Sequence, residues 1–178
     1  MFKLLEDAVD PFPNQVVEQP PSSLLAFIWH FTKPFRFLLS VLFITSAIIA
    51  AVEVYMLSAI GQLIDWMQVG DQNTFFQVHG TSLSGMLVLI LIIWPLLHWV
   101  DSMVENQGLL GNFAMQIRWR AHRYLLRQSN DFFANDFSGR IATKVMQTAL
   151  SVRDSVVSVN GLMVYVGVYF SSSAVIFM

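Results

Sequence analysis

The chain has 178 residues, of which 55% are hydrophobic and 12% charged, with no cysteine and a formal net charge of -2. A soluble domain of this size carries about twice that charged fraction, so the composition, with a mean hydropathy of +0.57, excludes an ordinary water-soluble fold and predicts an all-α integral membrane protein. Without cysteine there are no disulfides, thiol nucleophiles or thiolate metal sites.

Residues 1–21 read as a cytoplasmic tail, because Glu6, Asp7, Asp10 and Glu18 alternate with Pro11, Pro13, Pro20 and Pro21 and no apolar core of a signal peptide is present. A loose, solvated segment is expected there. Residues 22–34 read as an interfacial elbow helix: Ser22 or Ser23 can cap it, Leu24, Phe27, Ile28 and Phe31 share a face, and Pro34 interrupts it; the alternative is that it simply extends the first span.

Three apolar stretches follow, over about 35–65, 82–118 and 155–178, each long enough to cross the roughly 30 Å hydrocarbon core. The third ends at Met178 without a polar flank, which leads us to expect a longer parent protein. No Lys or Arg lies between Phe37 and Ile117, while Lys33 and Arg36 precede the first span and Arg118 to Arg153 follow the second. The positive-inside rule therefore places the N-terminus in the cytoplasm and the loop between the first two spans outside. A single cysteine at Asn73 should accordingly react with a membrane-impermeant thiol reagent in intact cells; reaction only after permeabilisation reverses the topology.

In the first span, Ala47, Ala51, Val54, Ser58 and Gly61 form a stripe of small or slender residues suited to close helix contact. Glu53 points away from it, about 25 Å along the helix from Arg36 at 1.5 Å per residue. A carboxylate at that depth must face protein or water: it either contacts a cationic substrate or a proton, or makes a structural hydrogen bond. In the second span Pro95 should bend the helix. Beyond it, His98, Asp101 and Glu105 are expected on one line of the helix, facing either a polar vestibule or a neighbouring helix; a metal site there would need further ligands.

The helical pattern continues past the bilayer to about Asn130, so a helix from Leu83 would be about 72 Å long. It breaks at Asp131 to Gly139 and resumes with Ile141, Val145, Thr148, Val152 and Val159 along one seam. Two long helices are thus joined by a cytoplasmic loop over 119–154. Arg120, Arg123 and Arg127 share a face that suits solvent or an ion-pairing neighbour; nothing resembles a base-reading module, so no nucleic acid partner is expected.

The stretch Arg123-Tyr-Leu-Leu-Arg-Gln-Ser-Asn-Asp-Phe-Phe-Ala-Asn-Asp-Phe-Ser-Gly-Arg-Ile-Ala-Thr-Lys144 resembles the first intracellular loop of ATP-binding cassette (ABC) exporters of the multidrug and lipid-exporting kind. Phe132, Phe133, Gly139, Ile141, Thr143 and Lys144 fill that family's aromatic pair, glycine, aliphatic, small and basic places. Gln147 and Thr148 stand where the family commonly has an acidic residue. The resemblance covers 22–178 and implies a partial exporter transmembrane-domain fold, over 35–178, with long helices extending into the cytoplasm.

It further implies a coupling helix in which Phe132, Phe133, Ala134, Asn135, Asp136, Phe137 and Gly139 dock into a nucleotide-binding domain. Glu53, Asp101 and Glu105 become candidate cavity residues. ATP with magnesium would be bound by a nucleotide-binding domain, since no Gly-x-x-x-x-Gly-Lys-Ser/Thr occurs in this chain. The implied partners are that domain, the lipid bilayer and a second transmembrane domain, in a homo- or heterodimer in a bacterial inner membrane. The alternative is a small three-span scaffold or an inactive truncated transporter.

Overall fold

Ser23 adopts the extended conformation of a helix cap, with φ -83° and ψ 139°, although its hydroxyl makes no capping bond; the Phe27 N–H donates instead to the Ser23 carbonyl at 2.9 Å. From there a computed structural model, which describes residues 9–13, 21–69, 75–129, 132–133 and 138–176, is helical in nearly every described position. Helix α1 covers Leu24–Thr32. A 3-10 turn, Lys33–Phe35, accommodates Pro34, whose missing N–H costs nothing in a first turn. Helix α2 then runs Arg36–Val69.

The second span, where Pro95 was expected to bend the helix, is a succession of segments: α3 (Phe75–Val88), a π-helical segment (Leu89–Ile93), α4 (Trp94–Met103), a second π-helical segment (Val104–Leu110) and α5 (Gly111–Leu125). Pro95 explains the first departure. It offers no N–H to the Leu91 carbonyl, four residues back, and its ring would strike that carbonyl in a regular helix. The wider π turn moves the carbonyl aside, and the Trp94 N–H donates to Leu89 O. Helix α6, Ser138–Ile176, completes the described chain. By length and composition, Leu24–Gln68, Phe75–Leu125 and Gly139–Ser172 are each able to cross a membrane. Of the most apolar part of Phe75–Leu125, 0% is buried within the protein, as a lipid-facing surface requires.

Two compact units emerge: Met1–Leu42 with Met103–Asn160, and Phe43–Ser102 with Gly161–Met178. In the first, Phe31, Phe35, Leu38 and Leu42 recur at intervals of four, three and four and bury one stripe. Against it lie Val104, Leu109, Phe113 and Ile117 from the π segment and α5, and Ala149 and Val152 from α6. The Phe35 and Phe113 ring centroids are 4.6 Å apart. The expected α6 seam is displaced accordingly. Ile141 and Val152 are buried, but Thr148 and Val159 are exposed and Ala149 takes the inward place.

Gly108 supplies a second close approach, since a Cβ on it would sit 3.2 Å from Leu38 Cδ2. Gly108→Val should cost about 1–3 kcal/mol through overpacking. Gly111→Ala, which adds a methyl where nothing lies within 4 Å, should gain roughly 0.5–1 kcal/mol of helix propensity. Thermal unfolding of the two variants in detergent checks both signs.

The N-terminal segment departs from the expected loose tail where it is described. Gln116 Nε2 donates to Asp10 O at 3.0 Å, Arg123 Nη1 donates to Pro13 O at 3.1 Å, and Phe12 meets Trp119 edge-on at 5.3 Å. Arg120 lies 3.5 Å from His30 Nε2 and over the Phe31 ring. The arginine face, expected to meet solvent or a second subunit, thus holds this chain's own N-terminal segment and elbow through Arg120 and Arg123. Backbone carbonyls that end no helix need donors, and Gln116 and Arg123 supply them.

In the second unit, Trp66 near the end of α2 stacks on His79 in α3, with centroids 4.2 Å apart and planes at 15°. Ile49, Ala50 and Ala59 are buried, whereas Ala51, Ser58 and Gly61 of the expected contact stripe are exposed. Glu53 has its hydroxyl partner, Tyr169, on α6, and the exposed part of the stripe remains accessible to a neighbouring helix.

Candidate functional site

Two places hold the residues singled out from the sequence. The first is the turn between α5 and α6. After α5 the chain tightens, with Arg127 N–H donating to Tyr124 O and Gln128 N–H to Leu125 O, and the Phe132 N–H donates to Ser129 O at 3.1 Å. The Phe132 and Phe133 rings meet edge-on at 5.4 Å, and the two residues are 40% and 39% exposed.

Phe133 also lines a groove of about 370 Å³ with Arg118, His122, Leu126, Ile141 and Val145. Both rings remain partly exposed to solvent. Ala134, Asn135, Asp136 and Phe137 lie outside the described residues. Gly139 is exposed at the start of α6, and its carbonyl accepts from Thr143 Oγ1 at 2.9 Å.

The second place is a cleft of about 260 Å³ in the second unit, lined by Ser46, Glu53, His98, Asp101, Tyr165 and Tyr169 among others. Each polar group comes from a different register of α2, α4 or α6. Tyr169 Oη donates to Glu53 Oε2 at 2.8 Å. Across from it, His98 Nε2 stands 3.8 Å from Glu53 Oε1, too far for a hydrogen bond. Asp101 Oδ1 accepts from both Thr45 Oγ1, at 2.6 Å, and Ser46 Oγ, at 3.0 Å. The Tyr165 and Tyr169 ring centroids are 4.6 Å apart.

His98 and Asp101 line the cleft together, as their spacing predicts, but Glu105 does not. It belongs to the other unit, within the π segment Val104–Leu110, whose wider turn breaks the register that three- and four-residue spacing assumes. Among the described residues no group of three His, Asp or Glu side chains could hold a metal ion. Tyr165, Tyr169, Thr45 and Ser46 were missed by the sequence reading. A tyrosine pair four residues apart in an otherwise apolar span was the available signal.

Compared with known proteins, the chain is 37% identical over 181 residues to an uncharacterized ABC transporter ATP-binding protein of Haemophilus influenzae. The match takes in 99% of this chain and 28% of that relative, so the chain spans less than a third of the relative's length. No family model and no solved structure matches. The similarity relates the chain to an ABC transporter protein along nearly its whole length.

Proposed function

We propose that this chain forms the N-terminal, membrane-embedded part of an ABC transporter of the exporter type and helps move a substrate across the membrane by ATP-driven alternating access. The observation that carries this reading is a conjunction. A chain whose three apolar helices can each cross a membrane is 37% identical to an ABC transporter ATP-binding protein while covering 28% of it. The matched part lacks a phosphate-cradling loop, so ATP with magnesium is assigned to a nucleotide-binding domain outside these 178 residues. The membrane is assigned to this part.

In this reading the turn carrying Phe132 and Phe133 is the docking point for that domain. Large apolar rings at a cytoplasmic turn gain from a partner surface, and both retain about 40% of their exposure. The cleft around Glu53 and Asp101 lies along the substrate route, because ionisable groups within spans are placed where protein or water can meet them. A second transmembrane domain, identical or not, completes the pore, and the small-residue stripe of α2 is available for a neighbouring helix.

Replacing Phe132 with p-benzoylphenylalanine in the parent protein tests the docking role. On irradiation in native membranes it should cross-link to an ATP-hydrolysing domain, with a yield that changes when ATP is added. A tip that captures no nucleotidase under any nucleotide condition overturns the reading in favour of a scaffold that moves nothing.

A further inference from the structure

We infer that the cleft between Glu53, Asp101, Tyr165 and Tyr169 is a binding site for an alkylammonium group, a substrate class for the transport reading on which the inference rests. The first argument is charge. Residues 43–102 and 161–178, which make up this unit, contain Glu53, Asp65, Asp71 and Asp101 and no Lys or Arg. Of the four carboxylates, Glu53 and Asp101 open on the cleft. Their partners are hydroxyls: Tyr169 for Glu53, Thr45 and Ser46 for Asp101. Hydroxyl donors orient a carboxylate without cancelling its charge, so the cleft keeps a negative field that a cationic occupant would complete.

The imidazole does not close the site. His98 Nε2 is buried and makes no hydrogen bond, and at 3.8 Å it leaves Glu53 Oε1 free to meet a ligand. Had this cluster served only to fasten three helices, that pair would be expected at hydrogen-bond distance and enclosed. Instead the Glu53 side chain keeps 36% of its exposure.

Shape and aromatic content narrow the ligand. Tyr165 and Tyr169 form a ring pair, tilted by 38°, on one wall of the cleft, and ring faces attract cations, most strongly away from water. A volume of about 260 Å³ falls below the roughly 300–1,000 Å³ of sites for drug-sized molecules. It suits a small ammonium head, either of a free amine or at the end of a longer amphiphile.

The test uses the full chain in nanodiscs of phosphatidylglycerol alone, which excludes choline and ethanolamine head groups. Radiolabelled choline should bind saturably, and its uncharged isostere 3,3-dimethylbutan-1-ol should compete at least about tenfold less well than unlabelled choline, a tenfold ratio being one decade in Kd. Dodecyltrimethylammonium distinguishes the two sources: tighter competition than choline points to an amphiphile, equal competition to a free amine.

Glu53→Gln should weaken choline binding roughly tenfold or more, with Glu53→Asp retaining most of it. Should Glu53→Gln fail to insert, Tyr165 decides, because its ring lines the cleft: Tyr165→Phe, which keeps the ring, should bind like the original chain and Tyr165→Leu several-fold less. Absence of saturable binding, equal competition by the neutral isostere, or unchanged binding in both Glu53→Gln and Tyr165→Leu overturns the inference. Cross-linking at residue 132 shares no residue or readout with this assay, so the cleft's chemistry and the transporter reading can fail separately.

Discussion

With Phe132 and Phe133 both replaced by alanine in the parent protein, ATP should still be hydrolysed but should no longer change the state of the membrane helices. Burying a phenylalanine fully is worth about 1.5–3 kcal/mol. With 40% and 39% of the surface still exposed, docking recovers roughly 1 kcal/mol per ring, or about 2 kcal/mol for the pair, which is close to thirtyfold in association.

The chain contains no cysteine, so a single cysteine at Ser46, on the wall of the cleft, reports conformation without background. ATP should alter its reaction rate with a water-soluble maleimide in the otherwise unchanged protein and leave it unaltered in the double variant. Each ring alone should give a partial effect, smaller for Phe133, which lines a groove together with Ile141 and Val145. An ATP response that survives the double substitution removes the tip from the coupling path.

How far the sequence reaches can be judged from the same helices. The start of α1 after Ser23, the local tightening at Pro34 and the resumption of helix near Gly139 were legible, because caps and proline act through local backbone conformation. The inward stripe Phe31, Phe35, Leu38 and Leu42 was only half legible, since periodicity shows that a face exists but an apolar face in a membrane can meet lipid as readily as protein. That ambiguity displaced the α6 seam, where Ala149 rather than Thr148 is buried.

The π segments were illegible for a different reason. Periodic reading assumes a constant angle per residue, and Glu105 falls within the wide turn that begins after Met103, where that assumption fails. Within the cleft, Glu53 announced its need for a partner, but nothing in one sequence could say that Tyr169, 116 positions away, supplies it. The docked segment around Asp10 to Pro13 was misread because its contacts are made largely by backbone carbonyls, which every residue carries.

The first unit's stability should depend most on Phe113. It is 1% exposed, stacks within 4.6 Å of the fully buried Phe35, and sits in the same cluster as Leu38 and Leu109. Phe113→Ala removes a whole ring from this junction, and cavities of that kind cost about 3–5 kcal/mol in water-soluble cores.

In a bilayer the transfer part of that cost shrinks, because lipid is as apolar as the interior, but the lost packing contacts remain. Phe113 lies five residues before Arg118, the first fixed charge after the span, so its surroundings are not purely lipid. The expected result is a loss of about 2–4 kcal/mol, with Phe113→Leu losing less than half as much.

Chemical unfolding in detergent, followed by near-ultraviolet circular dichroism, gives the comparison. Phe37→Ala on the same bundle is the control, since its ring is 70% exposed. If Phe113→Ala and Phe37→Ala unfold at the same denaturant concentration, the buried cluster joining α1, α2, α5 and α6 does not hold this unit together.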